Sequence, residues 1–401
     1  MNAERYRCID VCRGLAAASV LIWHYQHFFY PTAGALFNSA RQPIQPFYDF
    51  LWPFYQFGGL AVEMFWVVSG FVFAATYLAQ PIDGWSFFVN RLARLYPLHL
   101  VTLVLVTFLQ YLSWLSVGHF QIYPFNDAYH FVLNLFMAQF WGFQSGYSFN
   151  APTWSISIEV AIYAVFLVSL PLLKKAPLPV AIFCVGCALL CMMSGSVSNF
   201  VLCGLFFFLG VACHSLSIQS PIAAAAIAVQ AITGFSISRW FREGSLTHLE
   251  MCLLFSGIVL LAASLDGLKV LKTDRFDWFG NATYSTYLLH IPLQITTLTV
   301  IQWAGIDPAY VATQPVFLPA FIVTVFVAGI VCFRFFERPA QRWLKSVLLP
   351  SAVQLDGQSL SSAKSARIGS ISFRAKASSG TFTPSLRKAI LQLSGRSARG
   401  P

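Results

Sequence analysis

The chain has 401 residues, 57% of them apolar, 16% aromatic and only 10% charged, with a formal net charge of +10. An ordinary soluble protein is about 25% charged, so this chain cannot cover a water-facing surface and must have lipid as its solvent over most of its length, which excludes a soluble enzyme. After residue 350, eight basic residues (Lys364, Arg367, Arg374, Lys376, Arg387, Lys388, Arg396 and Arg399) face Asp356 alone, so the basicity marks a tail and a topology and not a nucleic-acid surface.

Taken in order, apolar segments long enough to cross a bilayer lie near 9–29, 57–79, 97–117, 154–173, 177–193, 198–216, 221–238, 248–265, 282–303 and 316–336. The segment 130–143 is too short to cross and reads as re-entrant or interfacial. With the N-terminus inside, the basic loops Arg91/Arg94, Lys174/Lys175 and Lys269/Lys272/Arg275 all fall on the cytoplasmic side, as do Arg5, Arg7 and the tail. The expected architecture is an all-α polytopic membrane protein, a bundle of about ten transmembrane helices plus that short segment. It would sit in the cell's inner (plasma) membrane with both termini in the cytoplasm. Residues 1–350 form the membrane domain and 351–401 a Ser-rich, basic, disordered tail suited to contact with anionic lipid. Asp10 and Arg13 interrupt the first apolar run, and no small-residue cleavage site follows Leu21-Ile22-Trp23, so that run is a retained helix and not a secretory signal. The nine cysteines sit almost wholly in apolar runs. Cys184-Val-Gly-Cys187 has redox or zinc spacing but no second pair or nearby His, so the thiols read as small apolar side chains and no metal is expected.

The first segment carries Asp10, Arg13 and His24. At about 100° per residue, Arg13 and His24 fall about 20° apart on one stripe, about 16 Å apart along the axis. Ionisable groups in the bilayer cost about 2.5–3.5 kcal/mol even on the lenient scale and are therefore functional candidates. Arg offers a fixed fork for an anion; His suits proton transfer near neutrality. Arg91-x-x-Arg94, in the predicted loop before Pro97, puts two guanidinium groups on one helical face. With Arg13 they form an electropositive mouth for a phosphorylated ligand. Glu63 in the second span and Glu159, with Ser155 one turn before it, need partners if they are to be buried. Tyr287 and His290 mark the ninth span, and Glu337-Arg338-Pro339 closes the last one as a structural clamp.

These residues resemble the acyltransferase-3 family of integral-membrane O-acyltransferases, which act on sugars and related acceptors. The resemblance spans nearly all of 5–345. It rests on Asp10-x-x-Arg13-Gly14 with the Arg-x10-His pattern ending at His24, Phe65-Trp-Val-Val-Ser69-Gly70, Arg91-x-x-Arg94 with Pro97, Trp154-Ser-x-Ser157-x-Glu159, Tyr284-Ser-x-Tyr287-Leu-x-His290 and Glu337-Arg-Pro339. It implies a cytoplasmic acyl-CoA donor, usually acetyl-CoA, and a carbohydrate or glycoconjugate hydroxyl as acceptor at the outer face. It also implies that Arg13 with His24, and Arg91 with Arg94, are the functional pairs. Asp10, Glu63, Ser69, Trp154, Ser157, Glu159, Tyr287 and His290 would bind substrate or support the site. Val160 stands where the family often has a second acid, which removes a two-carboxylate role there. On this reading His24 is the general base, steadied by Glu63, Glu159 or Asp10. The competing class is a transporter or flippase of a glycolipid or acylated lipid, which would need repeat symmetry and helices broken at the midplane.

Overall fold

The computed structural model describes residues 6–30, 32–35, 43–195, 197–270 and 280–349. The expected tail and the basic residues Arg5, Lys272 and Arg275 lie outside the described residues. Every regular element among the described residues is helical. Helix α1 (Arg7–His24) runs into a 3₁₀ turn at Tyr25–Phe29. α2 (Tyr48–Phe57) and α3 (Ala61–Tyr77) are joined through a 3₁₀ turn at Gly58–Leu60. Then come α4 (Gly84–Val117), the short α5 (Ala128–Leu135), α6 (Trp154–Lys175), α7 (Pro177–Met193), α8 (Asn199–Gln219), α9 (Pro221–Phe241) and α10 (His248–Gly267). After these follow α11 (Thr283–Trp303), the short α12 (Pro308–Ala312) and α13 (Phe317–Cys332), which passes through a π-helical turn at Phe333–Glu337 into α14 (Arg338–Leu348).

All ten expected crossing segments are helical, while 130–143 contains only the 8-residue α5. By length and composition, 7 helical stretches among the described residues can cross a membrane, and α7 is a shorter apolar helix. Helices α1 and α11 stand apart because each carries several polar or charged side chains within its span. One expectation needs correction. Arg91 and Arg94 are not in a loop but in the first turns of α4, a helix of 34 residues. The helix starts early because the Asp83 side chain accepts from the Ser86 backbone N–H, capping it thirteen residues before the apolar run expected near 97. At about 1.5 Å per residue α4 is roughly 50 Å long, more than a hydrocarbon core of about 30 Å needs, so its first turns can extend into the interfacial zone.

Two glycines let α3 and α8 pack backbone to backbone. A Cβ on Gly70 would collide with the Phe207 carbonyl, and one on Gly210 with the Val67 carbonyl, the small-residue close approach that lipid-embedded helices use in place of a hydrophobic driving force. Phe71, Phe73, Phe166, Phe206 and Phe207 fill the core around this contact. Helix α1 packs against α3, α10 and α11. Its start is pinned by the Asp266 carboxylate at the end of α10, which accepts from the Cys8 backbone N–H at 2.9 and 3.0 Å. That satisfies one of the N–H groups a helix start leaves unpaired.

Candidate active site

Helices α1, α3, α4, α6, α11 and the π-helical junction surround a cavity of about 470 Å³. One end is cationic, with Arg13, Arg91, Arg94 and Arg338 in its lining. Arg13 is paired with Asp10 at 3.2 Å. Arg94 forms an ion pair with Glu337, a carboxylate only 2% exposed that also accepts from the Ser285 hydroxyl and, at 2.9 Å, from Gln341 Nε2. The clamp expected at Glu337 therefore grips Arg94, and the π-helical turn is what brings it inward and places Arg338 and Gln341 on the cavity wall. Arg91 lies 4.6 Å above the Phe73 ring, and its buried Nε has no hydrogen-bond partner among the described residues.

Ser69, Glu159 and Tyr163 form one hydrogen-bonded group in the same cavity, within the field of Arg91 and Arg13. The other end is aromatic and narrows to Tyr287 and Ser155. Tyr287 Oη donates to the Pro152 carbonyl at 2.6 Å and lies 3.0 Å from Ser155 Oγ. Trp154 backs this region edge-on against Trp66.

One turn beyond Tyr287 on α11 is His290, its ring 5.7 Å from that of Tyr287 and 4.7 Å from that of His24. His24 ends α1, is 8% exposed, and its Nδ1 is 3.0 Å from the Val20 carbonyl. A carbonyl can only accept, so Nδ1 holds the proton and Nε2 keeps a lone pair, the form a general base needs. His290 is locked in the same way, donating from Nδ1 to the Tyr287 carbonyl at 2.6 Å, and its buried Nε2 has no partner among the described residues. Asn150 Nδ2 donates to the Leu288 carbonyl at 2.9 Å. That carbonyl needs an outside donor because Pro292, four residues on, has no N–H to offer.

The carboxylates expected to steady His24 do not reach it. Asp10 is engaged with Arg13, Glu159 with Ser69 and Tyr163, and Glu63 is outside the cavity lining with Oε2 buried and unpartnered among the described residues. The reason for Glu63 is helical phase: Ser69, six residues on, faces the cavity, which turns Glu63 about 120° away. Ser157 is fully buried outside the lining; its carbonyl accepts from Trp141 Nε1. Sequence reasoning missed His27 and Gln294, which adjoin His24 outside the cavity lining, and Arg338 as a cavity residue. His24-x-x-His27 was a readable signal; a lone Gln in an apolar helix is not one. No three His, Cys, Asp or Glu side chains among the described residues are placed to hold a metal ion. A larger groove of about 890 Å³ opens on the far side of α1 among α2, α9 and α10, with a mostly apolar lining that includes none of the predicted site residues.

The model of the acyltransferase domain matches residues 6–334. Over 124 residues the chain is 32% identical to "Acyltransferase MdmB" of Streptomyces mycarofaciens, covering 30% of this chain and 30% of that protein. Over 107 residues it is 32% identical to "Protein 2 in picA locus" of Rhizobium radiobacter, covering 26% of this chain and 44% of that protein. The chain thus aligns with less than half the length of either relative. No solved structure matches.

Proposed function

This chain belongs to the acyltransferase domain family, and from that premise we propose that it moves an acyl group, most simply acetyl, from acyl-CoA to a hydroxyl of a carbohydrate-type acceptor. The observation that supports this reading is that the cavity lined by four arginines reaches Tyr287, whose ring lies 5.7 Å from that of His290, itself 4.7 Å from that of His24, although neither histidine is part of the cavity lining. Guanidinium groups suit the nucleotide phosphates of the donor. The axial rise of about 16 Å from Arg13 to His24 suits an extended pantetheine arm. His24 Nε2 takes the proton from the acceptor hydroxyl as its oxygen bonds to the thioester carbonyl carbon; the C–S bond then breaks, and the imidazolium returns the proton to the departing thiolate. In this reading the arginine mouth opens to the cytoplasm at the plasma membrane, both termini lie on that side, the acceptor comes from the opposite face, and the tail contacts anionic lipid.

The test is direct. Purified protein in lipid nanodiscs is incubated with acetyl-labelled acetyl-CoA and a panel of glycosides and glycans, and the label is followed. Transfer to an acceptor by the wild type, lost in a normally inserted His24→Ala variant, supports the reading. No transfer to any acceptor, or transfer retained by His24→Ala, overturns it.

A further inference from the structure

Gln294, on α11 one turn beyond His290, has no role in the mechanism above, yet it touches the His27 imidazole and the backbone carbonyl of His24. Its Nε2 is 2.9 Å from the His24 carbonyl and its Oε1 is 3.0 Å from His27 Nδ1. The chemistry fixes which end of the amide faces which partner. The His24 carbonyl can only accept, so the NH₂ group must face it, the amide oxygen must face His27, and His27 Nδ1 must be the donor. The backbone explains the proximity. After His24 the chain tightens from α to 3₁₀ geometry, in which residues three apart eclipse, and the His24 and His27 rings lie 5.1 Å apart.

Three imidazoles therefore share one state. His24, His27 and His290 each spend the Nδ1 proton on a fixed oxygen and present Nε2 as a lone pair. Of the three, His290 Nε2 is fully buried and has no partner among the described residues. A buried acceptor left without a donor is costly, so these lone pairs are the complement of a ligand that brings donors.

We propose that Gln294 is a positioning residue: its amide holds His27 in the Nδ1–H form and ties the α1–3₁₀ junction to α11, so that three Nε2 lone pairs face one ligand. His24 takes the hydroxyl that reacts, and His27 and His290 accept from hydroxyls beside it. The second half of this statement rests on the acyl-transfer reading; the first half does not.

The experiment separates the two. Protein labelled with ¹⁵N only in its histidines reports by NMR which ring nitrogen carries each proton, with His24, His27 and His290 assigned from single Phe substitutions. All three are expected as Nδ1–H in the wild type. In Gln294→Leu, His27 should lose that fixed form while His24 and His290, held by backbone carbonyls, keep theirs. With acetyl-CoA and the glycoside accepted in the panel above, Gln294→Leu should lower kcat about 10- to 100-fold, as expected for a sub-ångström to ångström misplacement, with KM for acetyl-CoA unchanged. Gln294→Glu keeps an oxygen toward His27 Nδ1 but sets an acceptor against the His24 carbonyl, so it should keep the His27 Nδ1–H signal without recovering the full rate, and unchanged His24 and His290 signals guard against a folding defect in the leucine variant. His27 found as Nε2–H in the wild type, or a Gln294→Leu protein with unchanged His27 signals and unchanged kcat, overturns the proposal. The fixed tautomers without transfer to any acceptor would refute the acyl-transfer reading and leave the Gln294 lock standing.

Discussion

Arg91 and Arg94 are three residues apart on α4, line the same cavity and carry the same charge, yet their surroundings predict different consequences of removal. Arg94 is the counter-ion of Glu337, which is 2% exposed and also holds Ser285 and Gln341. Truncating one member of a buried pair costs about 3–5 kcal/mol because the other charge is left behind. Arg94 is itself 26% exposed, so part of its charge is already screened and the lower end, about 3 kcal/mol, applies to Arg94→Ala. Arg91 makes no such ion pair among the described residues. Its guanidinium stacks on Phe73, and its buried Nε is unpartnered among the described residues. On the proposed function it is the group free to grip a phosphate, where one charge-assisted hydrogen bond is worth about 1.5–3 kcal/mol, roughly 10- to 150-fold in Kd. The assay is paired: acetyl-CoA affinity by titration calorimetry, and thermal unfolding in the same detergent. Arg91→Ala should lose donor affinity and keep its Tm, whereas Arg94→Ala should lose several degrees of Tm. In Glu337→Gln, which removes the buried charge, the further Arg94→Ala change should cost much less. Equal Tm losses for the two arginine variants, or an Arg94→Ala cost unchanged by Glu337→Gln, would refute the division of labour.

A donor lacking the nucleotide, such as S-acetyl-N-acetylcysteamine, forgoes the arginine contacts and should lose kcat as well as KM, since remote binding energy positions the reacting group; equal kcat with both donors would count against the cavity as the donor site. Gly70→Leu should prevent α3 and α8 from packing, because the new side chain would meet the Phe207 backbone and not a movable side-chain end; an unaltered gel-filtration profile and Tm would contradict this. Asp266→Ala removes the acceptor for the Cys8 N–H at the start of α1 and should cost about 1 kcal/mol, the scale of a lost helix cap, read as a lower unfolding temperature.

The helical architecture was legible because hydropathy over about 20 residues is a strong signal, and every expected crossing segment is a helix. The stripe of Arg13 and His24 was legible because α-helical phase holds without interruption from Arg7 to His24. The same rule failed for His27, since the chain leaves α geometry after His24 and a 3₁₀ turn brings together rings that a 3.6-residue wheel sets about 60° apart. Glu63 attracted attention as a charge in a span, but that rule says a carboxylate needs a reason, not which way it points. The start of α4 was placed too late because an apolar window cannot see a capped polar turn. The support of His24 was sought among carboxylates, and the structure supplies the Val20 carbonyl, an acceptor every helix has and no motif records.

The two ends of the site carry opposite hydrogen-bonding deficits. Among the described residues, the buried unpartnered atoms include a donor at the Arg13 end, Arg91 Nε, and acceptors around α11 at the His24 end, His290 Nε2 and Asn150 Oδ1. A single polar group could not satisfy both, because one needs an acceptor and the others need donors. Two ligands could, one bringing an anion to the guanidinium groups and one bringing hydroxyls to the imidazoles. Between them Tyr287 and Ser155 are already hydrogen-bonded to each other and to Pro152, so that stretch asks nothing of a ligand beyond an apolar or thin chain. The pattern of unmet hydrogen bonds is thus what the proposed two-substrate transfer requires. It also accounts for Arg13 and His24 lying on one stripe of α1, about 16 Å apart along its axis.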